Sequence, residues 1–444
     1  MLIVPGHSPR YNRELTNDVK DFKSGKRRVF EPRDIQRSFV SRLTSQYSCL
    51  KSHISLLAPC SLPLFNLPLC PMEKHHLFIQ AKLDQASAYN RLRTLKTAPR
   101  ENTDFFSNDY LGYATKGLLE QQTSPLAPSH WSGSTGSRLI SGNHPEMEQL
   151  ERDFASFMDS PAALLYNSGY MANTGLLSSL GEKDSLFIFD EHVHASIKEG
   201  MRLGFGQKTA FKHNDLRDLE KKLAFHAQKD KRLMVLTEGL FSMHGDSPDI
   251  GQILGICQQH GAALIIDEAH SLGTIGEENK GASFGFAQHP NLLARVITFG
   301  KAAGGHGAMV LGNNDLRSFL INYSRAFIYT TAPSWDQLCS IGAALKLLAS
   351  KSNFDALAKA VEIYLEVAPA SSPSFSNNQS PIQYWRCDDV PLLKEKVGQL
   401  QKSGINCYPI LSPTVKTGEE RIRIVLHAFN TKEEITQLIN LLNA

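Results

Sequence analysis

From about residue 108 onward, short apolar runs alternate with stretches of helical periodicity, and that alternation restricts the chain to a parallel sheet covered by helices. "LMVLTEGLFS" (233–242) reads as a strand, "IGQILGICQQHG" (250–261) as a helix closed by Gly261, and "AALIIDEAH" (262–270) as the next strand. "ARVITF" (294–299) and "AMVLG" (308–312) follow as further strands. Near 334 the rhythm changes to a long helix, "SWDQLCSIGAALKLLAS", then a Ser/Asn/Pro loop at 371–381 and a strand, helix, strand, helix run to the end. "RIRIVLHAF" (421–429) is its last strand, and Thr431 with Glu434 makes a capping box for the final helix. The expected class is α/β, with a helical arm over 72–107, a large domain over 108–333 and a smaller α/β domain over 334–444.

Residues 1–71 differ from the rest, with 11 Lys and Arg against 5 Asp and Glu and a Ser-, Pro- and Cys-rich stretch, "SCLKSHISLLAPCSLPLFNLPLCP". Three readings compete: a disordered extension, an organelle-targeting peptide, or upstream sequence ahead of a true start at Met72. The last is favoured, because "MEKHHLFIQAKLDQASAYNRLRTLK" opens like a helical N-terminus.

At 444 residues, 41% hydrophobic and 20% charged, the chain can bury a large core. A net charge of +3, with dispersed basic residues, argues against a nucleic-acid partner. Seven widely spaced cysteines without a C-x-x-C pair argue against a disulfide framework and a zinc site, so no metal is expected, and a reducing cytoplasm is the simplest compartment. No apolar run approaches the roughly 20 residues that cross a bilayer, so no membrane partner is expected.

Chemistry concentrates at predicted strand ends. Lys301 follows a strand directly, in "TFGKAAGGHGAMV", where a desolvated amine can form an imine with an aldehyde cofactor, although a lysine taken alone reads as a solvated loop residue. Asp267 in "LIIDEAH" stands at the carboxyl end of an apolar strand, where open α/β sheets bind ligands. It can pair with a protonated pyridinium nitrogen or cap the next helix. His270 can reach the same ligand or merely end the strand. "LLYNSGYMANTG" turns through Ser168 and Gly169 into a helical start at Tyr170 and presents backbone N–H groups to an anion. His194 in "FDEHVHASI" can lie flat over an aromatic ring or be structural. Arg421 and Arg423 share one face of "RIRI", where a guanidinium can grip a carboxylate or line a solvated face.

In order and spacing these segments resemble the α-oxoamine synthases, a group of fold-type I pyridoxal-phosphate (PLP) enzymes that condense an amino acid with an acyl thioester. The resemblance runs from about residue 80 to the C-terminus. It rests on "SNDYLGYA", "GSTGSRLISGN", "FKHND" with "LEKKL", "TEGLFSMHGDSPD", "DEAHSLGTIGEENKGAS", "TFGKAAG", "IYTTAPS" and "RIRI". It implies PLP held by Lys301 as a Schiff base, Asp267 on the pyridinium nitrogen, His194 stacked on the ring and His270 on the phenolic oxygen. Gly169 and Tyr170 would cradle the phosphate, with Ser242 and Thr298 as further cofactor contacts. Thr330 or Thr331 would reach the phosphate of a neighbouring subunit, which implies a homodimer with shared active sites.

On the substrate side the resemblance implies Asn108 and Arg423 for the amino-acid carboxylate and Thr414 for a further contact. Arg93, in "YNRLRTLK", would meet the far end of the acyl chain. Within the group, "TEGLFSMHGDSPD", "FKHND" and "SPTV" resemble the branch of biotin biosynthesis that joins L-alanine to a pimeloyl thioester of coenzyme A or an acyl carrier protein. Glycine C-acetyltransferase, 5-aminolevulinate synthase and serine palmitoyltransferase are the alternatives. Three positions depart from the family pattern: Met147 and Asn430 stand where His is common, and His244 where Asp is usual. A non-catalytic binding module would need a DNA-binding domain, which the Pro-interrupted residues 1–71 do not suggest.

Overall fold

A computed structural model describes residues 71–88, 92–93, 95, 97–122, 132–227, 231–369, 372 and 374–444. All the readings of the segment before Pro71 therefore lie outside the described residues. Pro71–Ala88 is an 18-residue helix in a unit of its own, Met1–Leu92, and a second unit holds Arg93–Ala444.

In the second unit the strands are β1 (Thr103–Asp104), β2 (Ala162–Tyr166), β3 (Ser185–Asp190), β4 (Gln207–Phe211), β5 (Arg232–Glu238), β6 (Ala263–Asp267), β7 (Leu292–Thr298) and β8 (Ala308–Gly312). β9 (Ile382–Arg386), β10 (Ile405–Asn406), β11 (Tyr408–Ile410) and β12 (Arg421–Val425) complete the set. Seven of them form one sheet in the order β2-β8-β7-β6-β5-β3-β4. β8 runs antiparallel to both of its neighbours and every other pairing is parallel, so the sheet is the mostly parallel one expected.

Its strands are near-continuous apolar runs because helices cover both faces; all five residues of β2 are buried, as are six of seven in β5. One face packs Leu176, Ile197 and Leu236 with their neighbours, and another cluster packs Leu186, Val235, Ile253 and Leu264. Helix Ile250–Gln259 ends as expected, with Gly261 in the left-handed region at φ +63°, where a Cβ would be strained.

The core does not divide at residue 334. Leu338, Ile341 and Leu348 of helix Trp335–Ala349 share one cluster with Met147, Phe154 and Phe299. The residues expected to form an arm also take part elsewhere, since β1 pairs in parallel with β10. A three-stranded antiparallel sheet, β11-β12-β9, carries the C-terminal α/β region, and its last helix, Lys432–Asn443, opens on the predicted capping box of Thr431 and Glu434.

Candidate active site

Strands β2, β3, β5, β6 and β7 all end along one edge of the sheet, at Tyr166, Asp190, Glu238, Asp267 and Thr298. Beyond that edge lies a cavity of about 250 Å³, walled by Gly169, His194, Glu238, Asp267, His270 and Lys301 among others. This is where an open α/β sheet presents ligand sites, because the loops leaving the strands diverge there.

Asp267 is buried on the cavity wall, with Asn173 Nδ2 donating to its Oδ2 at 2.7 Å and the Ala269 N–H to its Oδ1 at 2.9 Å. Glu238 ends the neighbouring strand, nearly fully buried, and accepts the His194 N–H at 2.6 Å. Burial, with the charge of Asp267 next, pushes the Glu238 carboxyl up to about 8. Burial likewise pushes the Lys301 amine down to about 8, against the pull of Asp267 and Glu238. A lysine so placed is neutral far more often near neutrality than an ordinary lysine, and the neutral amine is the form that makes an imine.

Helix Gly169–Leu180 begins at the cavity, capped by Ser168, whose Oγ accepts the Met171 N–H at 3.3 Å. Gly169 leaves no room for a side chain, since a Cβ there would lie 2.5 Å from Thr298 Cγ2. The N–H groups of Gly169 and Tyr170 belong to the first turn, which has no intrahelical acceptors, so they form an anion cradle of twelve aligned residues' dipole. Cradle, carboxylate and desolvated lysine together fit PLP: an anion site for its phosphate, an acceptor for its ring nitrogen and an amine for its aldehyde.

Arg423 and Asn108 come together from 315 residues apart, Arg423 Nη2 donating to Asn108 Oδ1 at 3.0 Å. Arg423 Nε donates to the Ser242 carbonyl at 2.7 Å, so Ser242 holds the guanidinium rather than lining the cavity. Tyr110 links this pair to the wall, its hydroxyl 2.6 Å from His270 Nδ1. Burial first, then the charges of Lys301 and Arg423, holds His270 well below the ordinary histidine range. It is therefore a neutral imidazole, and burial raises the Tyr110 phenol to about 12, which keeps its proton available for that bond. Arg421 faces other partners, the Met243 and Glu419 carbonyls and the face of Tyr384, 4.5 Å from the ring centroid. Neither arginine lies on a solvated face; both are buried.

Of the remaining expected residues, Thr298 and Tyr170 line the cavity. Asn167, next to the cradle, donates its Nδ2 to the Thr331 carbonyl at 2.7 Å and reaches Thr330 Oγ1 at 3.4 Å, yet neither threonine is on the wall. Thr414 and Arg93 are exposed and line no part of the cavity. Glu238, Asn173 and Tyr110 were not singled out by sequence reasoning. The signal for Glu238 was its place at a strand end matching that of Asp267; Tyr110 stood inside the quoted "SNDYLGYA".

Fold and site together define a fold-type I PLP enzyme. The family described as "Aminotransferase class I and II" matches residues 100–442. The 8-amino-7-oxononanoate synthase of Emericella nidulans is 34% identical over 373 residues, 78% of this chain and 90% of that one. Among solved structures, the 8-amino-7-oxononanoate synthase of Francisella tularensis aligns with a TM-score of 0.62 at 26% identity, covering 78% of this chain and 97% of that one. Serine palmitoyltransferase of Sphingomonas wittichii shares the fold, with a TM-score of 0.71 at 21% identity over 84% and 97% of the two chains. The chain belongs to the class I and II aminotransferase family, within its α-oxoamine synthases, and is a PLP-dependent acyltransferase.

Proposed function

We propose that the protein condenses L-alanine with a pimeloyl thioester, of coenzyme A or an acyl carrier protein, to give 8-amino-7-oxononanoate, carbon dioxide and the free thiol. The observation that carries this choice within the group is the likeness to relatives of that name over nine-tenths of their length. The site supports the reaction type: Lys301 and Asp267 face one cavity, and Arg423 with Asn108 is tied to its wall through Tyr110 and His270.

Bound PLP supplies an aldehyde for the amine and a ring that accepts electrons from the amino acid's α-carbon. Asp267 holds a proton on the ring nitrogen, and Asn173 and the Ala269 N–H fix the carboxylate's orientation. Arg423 and Asn108 orient the amino-acid carboxylate. Lys301 Nζ carries the cofactor at rest and then takes the Cα proton, a role its depressed basicity suits. Cα bonds to the thioester carbonyl carbon as the C–S bond breaks, the departing thiolate taking a proton from solvent, and the Cα–carboxyl bond then breaks to release carbon dioxide. Lys301 returns a proton to Cα. His194 would stack on the bound ring and His270 would donate to its phenolic oxygen, while Gly169, Tyr170 and Thr298 would hold the phosphate end. Thr330 or Thr331 would reach the phosphate of a neighbouring subunit, and Thr414 and Arg93 would meet the substrate.

The test offers the holoenzyme L-alanine, glycine or L-serine against pimeloyl, acetyl, succinyl and palmitoyl thioesters, with product mass read by spectrometry. A keto product from L-alanine and the pimeloyl thioester, exceeding every other pair, is expected. Preference for another pair would retain the reaction class and overturn the substrates.

A further inference from the structure

Outside the cavity, three histidines converge from three separate loops. His192 follows β3, His213 follows β4, and His244 lies in the turn after β5. One ligand nitrogen from each lies within 4.8 Å of the other two. The rings of His192 and His244 stack at 4.6 Å, and His213 lies 4.3 Å from His192. Asp246 adds a carboxylate, its Oδ2 2.9 Å from His213 Nε2.

We propose that His192, His213 and His244, with Asp246 as fourth ligand, bind one late first-row divalent cation of the zinc type. The proposal is independent of the substrates assigned above.

Imidazole nitrogens and one carboxylate form a donor set suited to zinc and its neighbours. Two of the atoms concerned, His192 Nδ1 and Asp246 Oδ1, are buried without a hydrogen-bond partner among the described residues. Buried polar atoms are seldom left unpaired, and a cation would satisfy both. His213 also has the second partner that metal-binding imidazoles take: Asp190, fully buried, lies 2.9 Å from its Nδ1, which leaves Nε2 on the side of Asp246. Metal–nitrogen bonds of about 2.0–2.1 Å set ligand nitrogens roughly 3.3 Å apart. The three side chains must therefore close by about 1.5 Å, a change that side-chain rotation allows in half-buried residues. The cation takes the place of the proton shared between His213 Nε2 and Asp246, which leaves to solvent.

The site would tie three loops together. One of them carries His194 to the cavity, and another carries the Ser242 carbonyl that holds Arg423.

The test dialyses PLP-loaded enzyme against chelator, then titrates Co²⁺ while following its visible ligand-field absorption. One equivalent per chain, displaced by Zn²⁺, is expected. His192→Leu and His244→Asn should each weaken binding by more than about 100-fold, and Asp190→Asn by about 10–100-fold. His260→Asn, outside the cluster, should change nothing. The borohydride-fixed cofactor band reports that each variant is folded. X-ray absorption on the Zn²⁺-loaded wild type reads imidazole ligands without any variant. Absence of stoichiometric Co²⁺ uptake, binding unchanged in both histidine variants, or a zinc spectrum without imidazole would each overturn the proposal.

Discussion

Buried carboxylates meet the central sheet in two regions under opposite regimes. On the side of β2, Glu151 from helix Pro145–Phe157 is paired directly with Arg138, with Arg317 at 2.9 Å and with the Leu165 N–H at 2.9 Å. At the strand ends the charges of Asp267 and Glu238 hold up the basicity of Lys301, and Asp267 raises while Lys301 lowers that of Glu238, yet among the described residues Lys301 forms no ion pair. Direct pairing makes the first group inert and mechanically fixed. Proximity without pairing leaves the second group's amine in reserve, at a cost in stability that a structural network would not carry.

Predictions that test this contrast run from large to small. Lys301→Ala should reduce turnover by more than about 10³-fold and abolish borohydride fixation of the cofactor, with little loss of fold. Glu151→Ala leaves two arginines unpaired and should cost about 3–5 kcal/mol in denaturant unfolding while the kcat/KM of folded protein stays unchanged. Were Glu151→Ala to alter kcat/KM instead, the separation of the two regions would be broken. Asp267→Asn should lower kcat by about 100-fold or more, read in steady-state kinetics at saturating PLP. Arg423→Ala should raise KM for the amino acid by about 10–100-fold, through loss of one charge-assisted contact.

The smallest effect concerns pH. A lysine whose basicity is depressed is reactive above its shifted value, so cofactor capture by the apoenzyme should rise with pH, pass half its maximum at about 8 and level off above about 9. The Glu238 carboxylate raises the Lys301 value, so Glu238→Gln should move that rise to lower pH, by less than about one unit. Stopped-flow absorbance of PLP binding across pH 6–10 reads both, and a shift to higher pH would reverse the electrostatic account.

Much of this was legible in the sequence where the signal is local. Lys301 and Asp267 announce themselves as polar residues ending apolar strands, and the capping box of Thr431 and Glu434 is a four-residue pattern. Glu238 carries the same strand-end signal, but a glutamate there reads as solvated until burial is known. Asn173 becomes significant only when its helix is laid against β6, 94 residues away in sequence. Helix Trp335–Ala349, just after the division expected at residue 334, lays its apolar face into the core of the large sheet, and periodicity does not say which partner a face meets.

The antiparallel strand β8 has a consequence for how the protein is made. β2 has no other neighbour in the sheet, and its register joins Ala162 to Gly312, about 150 residues later in the chain. The first turn of helix Gly169–Leu180, which follows β2, thus cannot be seated on the sheet until β8 has left the ribosome. Chains cut short before Gly312 are expected to retain no PLP.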